Sequence, residues 1–137
     1  MPPICWEGFD IGIQTQVLEA LRLLVAQTGG MAADIGALPA GEGLALAVTT
    51  GRETGETLAQ GVTVVLDVAL TMKHGVQQTA LDTLCRVHEA LRRADPLPAG
   101  EGWQVTAIRT GGAPGYLDRD GDFWLYGGAL AVGYAAD

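Results

Sequence analysis

The sequence predicts an α+β domain, a four-stranded, mainly antiparallel sheet with two helices on one face, in the order α-β-β-α-β-β, with residues 1–137 forming a single domain. Three observations lead there. Two segments carry apolar residues at helical spacing. Four others read as strands, three of them by alternation of side chains. A six-residue phrase, Leu38-Pro-Ala-Gly-Glu-Gly43, returns letter for letter as Leu97-Pro-Ala-Gly-Glu-Gly102, each time after a helical stripe and before a strand.

The first helix is expected over Ile11–Gln27. Asp10 is its candidate N-cap, Ile13, Val17, Ala20, Leu21 and Leu24 form its apolar stripe, and Gly29-Gly30 end it. Met31–Leu38 reads as a small-residue connection. Leu44, Leu46 and Val48 then alternate with Ala45, Ala47 and Thr49, the pattern of a strand. The stretch Gly51–Gly61 is polar and punctuated by glycine, so it reads as a loop. Val62, Val64, Leu66, Val68 and Leu70 alternate with Thr63, Val65, Asp67, Ala69 and Thr71, the clearest strand of the chain. The two strands most simply pair as an antiparallel hairpin.

Val76, Ala80, Leu84, Val87 and Leu91 mark the second helix. Asp82 precedes Arg86, and Glu89 precedes Arg93, by the four residues that favour an ion pair. The helix is expected to stop before Asp95-Pro96, because the residue before proline avoids helical angles. Trp103–Thr110 is the third strand and Phe123–Tyr134 the fourth. Gly111–Asp122 reads as a turn region, and Gly127-Gly128 marks a bulge or bend in the last strand. The repeated phrase fits either two connections that share one turn chemistry or an internal duplication. Both helices on one face would leave the other face, with Val65, Ala69 and Ile108, open to a partner.

Composition narrows the function. At 137 residues and 48% apolar content the chain can bury a real core. Its two cysteines, Cys5 and Cys85, form no close pair, so a disulfide framework is not expected and a reducing compartment fits. Met1–Asp10 lacks a basic leader, and no apolar run is long enough to span a membrane. A formal charge of −8, with Lys73 as the single lysine, disfavours sequence-independent binding to a phosphate backbone.

The residues carry no recognisable enzyme site. His74 and His88 are the only histidines, and His88 sits beside the buried stripe as a core or boundary residue. A Cys85–His88 nucleophile pair would need a third, orienting residue that the sequence does not supply, so Cys85 reads as a small half-buried side chain. Asp118-Arg-Asp-Gly-Asp122 differs from a calcium loop, because its glycine lies between the second and third acids and its twelfth position is Ala129. It reads as an acidic hairpin turn built on Asp120-Gly121. No metal, no cofactor and no catalytic residue is expected.

The stretch Pro114-Gly-Tyr-Leu-Asp-Arg-Asp-Gly-Asp-Phe-Trp-Leu-Tyr126 resembles the closing segment of minor capsid and tail-terminator proteins of long-tailed phages. The layout of the remaining chain is similar too. The resemblance implies a virion assembly protein at the head–tail junction, made in the host cytoplasm. It implies a closed homo-oligomeric ring, commonly a hexamer, that caps the tail tube and meets the head connector. Gly51–Gly61 is the candidate contact with those partners, Leu58 as its apolar anchor and Arg52, Glu53 and Glu56 setting register. An acidic lumen would let DNA pass without sticking. The alternative is a small-molecule-binding α+β regulatory domain, which would share the repeated layout.

Overall fold

The computed structural model describes residues 11–29, 31–56 and 62–136. Helix α1 covers Ile11–Leu24 and continues as one π-helical turn, Val25–Gly29, in which the Thr28 hydroxyl donates to the Leu24 carbonyl at 2.7 Å. Strands β1 (Ala33–Ile35), β2 (Gly43–Glu56) and β3 (Val62–His74) follow, then α2 (Gln77–Arg92), β4 (Ala99–Gly100), β5 (Trp103–Asp120) and β6 (Phe123–Ala136). The expected Asp10 cap lies outside the described residues.

All six strands share one sheet, in the order β1-β2-β3-β6-β5-β4. β1 runs parallel to β2, and every other neighbour is antiparallel. This corrects the expectation of four antiparallel strands, since the sheet is six-stranded, mixed and curled into a half-barrel. The two additional strands have three and two residues, too short to show any period. They arise where the chain enters β2 and β5, and the second lies inside the repeated phrase.

Both polar segments expected as loops are strand where they are described. β2 runs on through Gly51–Glu56, with Gly51 opposite Leu66 and Glu56 opposite Val62. β5 runs on through Gly111–Asp120, opposite Ala129–Phe123 of β6. The physical reason is shared. A central strand with apolar residues needs hydrogen-bonding neighbours on both sides, and a polar, glycine-rich strand serves where its own outer side faces water. Residues 57–61, with Leu58, lie outside the described residues.

The bulge expected at Gly127-Gly128 falls on the other strand. β3 and β6 pair without interruption from Val62–Ala136 to His74–Trp124. The irregularities lie in β2, between Val48 and Thr50 and between Glu53 and Gly55, and at four places in β5. An outer strand can take an extra residue and bend, whereas a strand paired on both sides would disrupt two ladders. The glycines serve close approach instead. A Cβ on Gly128 would lie 3.3 Å from the Pro114 nitrogen, where bulged β5 crosses it. The turn between β5 and β6 is tight, with Gly121 at φ 59°.

One face of the curled sheet holds the core. Val64, Leu66, Val68, Leu70 and Met72 of β3 meet Leu130, Val132 and Tyr134 of β6, under Ala80, Leu84, Val87 and Leu91 of α2 and Val17 and Leu21 of α1. Val76, expected in the α2 stripe, precedes the helix and is exposed. α1 touches β1 and β2 on one side of the sheet and β4 on the other. The Trp103 indole N–H also donates to Gln16 Oε1 at 2.7 Å. The sheet therefore wraps around its helices, and its convex face carries neither.

On the surface of α2, Glu89 pairs with Arg93 as expected and with Arg92 as well. The Arg92 hydrogen bond holds the Glu89 carboxyl below its ordinary value of 4.5. Asp82 accepts instead from Gln78 Nε2 at 2.9 Å, one turn earlier in the helix.

Candidate functional site: the bare convex face and its hairpin end

The convex face is set by alternation along the strands that build the core. Val65, Asp67 and Ala69 of β3 are half-buried between the core residues of that strand, as are Ala129, Ala131 and Gly133 in β6. Side chains this small leave a smooth surface. A shallow groove of about 340 Å³ crosses it, floored by Val65, Ala131 and Gly133 and flanked by Arg52 of β2 and Arg109 of β5. Arg52 lies 3.3 Å from Asp67 Oδ2, which also accepts from the Thr50 hydroxyl at 2.5 Å. Arg109 is exposed and makes no ion pair among the described residues.

Val65 and Ala69 lie on the face expected for them, and Ile108 does not. Ile108 is buried under the helices. The cause is the register shift between Val105 and Ala107, both of which pair within a single step of β6. Thr106 is the extra residue, so side-chain parity inverts beyond it. Ile108 turns inward and Arg109 outward. Alternation alone placed Arg109 with Trp103 and Val105, which hid it as a groove residue. The Ala129-Ala131-Gly133 series was the visible signal for a smooth second face.

Of the four residues proposed as a contact loop, Arg52 is seen on the groove wall. Glu53 and Glu56 lie on β2 opposite Val64 and Val62, and Leu58 is outside the described residues.

The far end of the β5–β6 hairpin, which holds the Pro114–Tyr126 stretch, is anchored by Lys73. This lysine is buried, its Nζ 3.2 Å from the Ala40 carbonyl, 3.4 Å from Asp120 Oδ2 and 4.9 Å from the Phe123 ring centre. A buried ammonium needs such partners to offset its lost hydration. Arg119 lies 4.6 Å from the centre of the Trp124 ring, and Tyr116 meets the edges of Trp124 and Tyr126. Tyr126 in turn accepts from Gln77 Nε2 at 2.7 Å, tying the hairpin to the start of α2. Tyr116 and Leu117 remain exposed.

Next to Lys73, His74 Nδ1 accepts the Val76 N–H at 2.9 Å and lies 3.3 Å from Glu42 Oε2. Glu42 accepts the Gly75 N–H at 2.9 Å. These bonds fix the β3–α2 turn against the first copy of the repeated phrase. On α2, His88 is buried with Nε2 3.1 Å from the Ala129 carbonyl, while Cys85 is exposed. The half-buried site expected for Cys85 is thus corrected. Its helical position faces water, and His88 binds the sheet rather than the thiol. Among the described residues no group of three His, Cys, Asp or Glu side chains could hold a metal ion. None of their helices is long and apolar enough to cross a membrane.

The arrangement is that of a curled α+β domain with an open groove on its convex face. No family model matches the sequence, and no curated protein matches it. Among solved structures, the fold is shared with a chain from the virion of a native gene transfer agent particle, with a TM-score of 0.58 and 19% identity. The superposition covers 89% of this chain and 91% of that one. At this identity the likeness establishes a common fold.

Proposed function

We propose that the chain is a structural part of a phage-type virion, placed at the head–tail junction as a tail terminator or minor capsid protein, and that it acts by assembly rather than catalysis. The observation that carries this reading is the fold shared with a virion component over 89% of this chain and 91% of that one. The bare convex face supports it, because a half-buried face of Ala, Gly and Val gains from contact with another protein. In the proposed arrangement the chain forms a closed ring between the tail tube and the head connector.

The face holding Arg52, Asp67 and Arg109 carries no excess acid, and neither do the helices, where Glu19, Asp82 and Glu89 are matched by Arg22, Arg86 and Arg92. The excess lies at turns and strand ends such as Glu42, Glu56, Asp95, Glu101, Asp118 and Asp122. A lumen that passes DNA would be lined by those surfaces. The alternative regulatory domain gains little from this groove, which is open and floored by small side chains.

Deleting the gene and imaging the particles tests the reading. The expected result is heads without tails, together with unjoined tails of uneven length. Normal, joined particles would overturn it.

A further inference from the structure

The sheet is left open along both of its long outer strands. β1 covers β2 only at Leu44–Leu46, where the last bond runs from the Gly36 N–H to the Leu46 carbonyl at 2.8 Å. From Ala47 to Glu56 the outer edge of β2 meets no strand among the described residues. β4 covers β5 only at Trp103 and Gln104, and the Val105 N–H closes on the Pro98 carbonyl at 2.9 Å. From Thr106 to Asp120 the outer edge of β5 is likewise bare among the described residues. Backbone donors and acceptors in such rows bind another strand readily, and proteins that stay monomeric usually blunt them. Neither edge carries a lysine; Pro114 and the bulges interrupt them in places, leaving Thr50–Glu53 of β2 and Ala107–Thr110 of β5 as regular stretches.

We infer that these edges are the subunit contact, with β5 of one copy pairing antiparallel to β2 of the next. Strand direction carries the argument. β2, β3, β6 and β5 alternate along the sheet, so β5 points opposite to β2. A second copy placed side by side, in the same orientation, presents β2 antiparallel to β5 and continues the alternation. The occupant is therefore a second copy of this chain. The contact is heterologous, one edge against a different edge, so repetition closes a ring or extends a filament. β1 and β4 cap the two edges at opposite ends of the sheet, which lets the free stretches overlap in a staggered register. Staggered strands are what a closing sheet requires. Arg52, Glu53 and Glu56 then lie on an edge strand at the seam, near Arg109 of the preceding copy. This inference rests on the assembly reading above and specifies its contact.

Hydrogen exchange on the full-length chain, with its mass followed by light scattering, tests this. In the assembled state, amides of Ala47–Glu56 and of the equally long part of Thr106–Asp120 that faces them should exchange at least tenfold more slowly than in an isolated edge strand, approaching the rates of β3. A ring in which both segments keep fast-exchanging alternate amides would overturn the edge contact and leave the virion reading standing. A chain that stays monomeric both at high concentration and on tail tubes would overturn both. As a second measurement, Thr50→Cys with Arg109→Cys, in a Cys5→Ser, Cys85→Ser background, should give disulfide-linked ladders of whole subunits under mild oxidation. Each single-cysteine variant should not. Ladders absent from an assembled ring whose edges also exchange fast would count against the pairing.

Discussion

The concave and convex faces are made by the same strands and have opposite characters. On β3, Val64, Leu66, Val68 and Leu70 are wholly buried under the helices, while Val65, Asp67 and Ala69, one position away, remain half-buried. On β6 the division is Leu130, Val132 and Tyr134 against Ala129, Ala131 and Gly133. One face packs under both helices, and the other carries small, half-buried side chains and neither helix.

The strongest way to break this comparison is to truncate neighbouring residues of β3. Leu66→Ala should destabilise the monomer by about 2–5 kcal/mol, because it opens a cavity beneath the helices. Val65→Ala should cost less than about 1 kcal/mol, as its side chain is half solvated. Urea unfolding of both variants measures the difference. Equal losses would mean that the convex face also supports the fold.

The contrast recurs on α2. His88→Ala removes the donor to the Ala129 carbonyl and should cost about 1–3 kcal/mol, the range for leaving a buried acceptor unpaired. Cys85→Ser, one turn away and exposed, should change stability by less than about 0.5 kcal/mol. Thermal melts of the two proteins should separate clearly. Coincident melts would show that the helix is not anchored through His88.

Lys73→Met sharpens the picture at the hairpin end. It keeps the apolar stem and loses the bonds to Ala40 and Asp120, so a loss of about 1 kcal/mol is expected. The readout is local, since amides of Asp118–Trp124 should exchange faster while those of β3 stay unchanged. Uniform acceleration would show that Lys73 supports the whole sheet.

The smallest effect is electrostatic. Glu89 has its pKa lowered, first by the Arg92 hydrogen bond, so its stabilisation is present above the ordinary value of 4.5 and fades as pH falls through the lowered one. The pair lies at the surface, so the effect is small and weakens with salt. Glu89→Gln should therefore lower the melting temperature slightly at pH 7, and the gap should narrow as pH falls below 4.5. A gap that persists in acid would assign it to something other than charge.

Much of the fold was legible in particular residues. The stripe Val17-Leu21 and the stripe Ala80-Leu84-Val87-Leu91 located both helices, because a helix that buries one side must repeat apolar residues at its own period. The alternation from Val62 to Thr71 located the central strand, and the repeated phrase placed the strand starts at Leu44 and Trp103, against Gly43 and Trp103 in the structure. The ends of β2 and β5 were not legible. Gly51–Glu56 and Gly111–Asp120 have loop composition, and they become strand because β3 and β6 provide a template for them. Of the candidate site, Val65 and Ala69 were placed on the open face, whereas Arg109 was concealed by the bulge at Thr106.

By itself the sequence determined the number and order of the long elements, since side-chain periodicity is a local property that survives any arrangement in space. It also determined the acidity of the surface and which residues would seek the core. Only the tertiary structure decided how the pieces join: β3 against β6 in the middle, short caps at β1 and β4, and a sheet that curls around its helices. Those features depend on pairing between distant segments and on where a bulge is tolerated. A bulge is accepted on an outer strand because only one ladder is disturbed there. That choice sets which side chains reach the convex face.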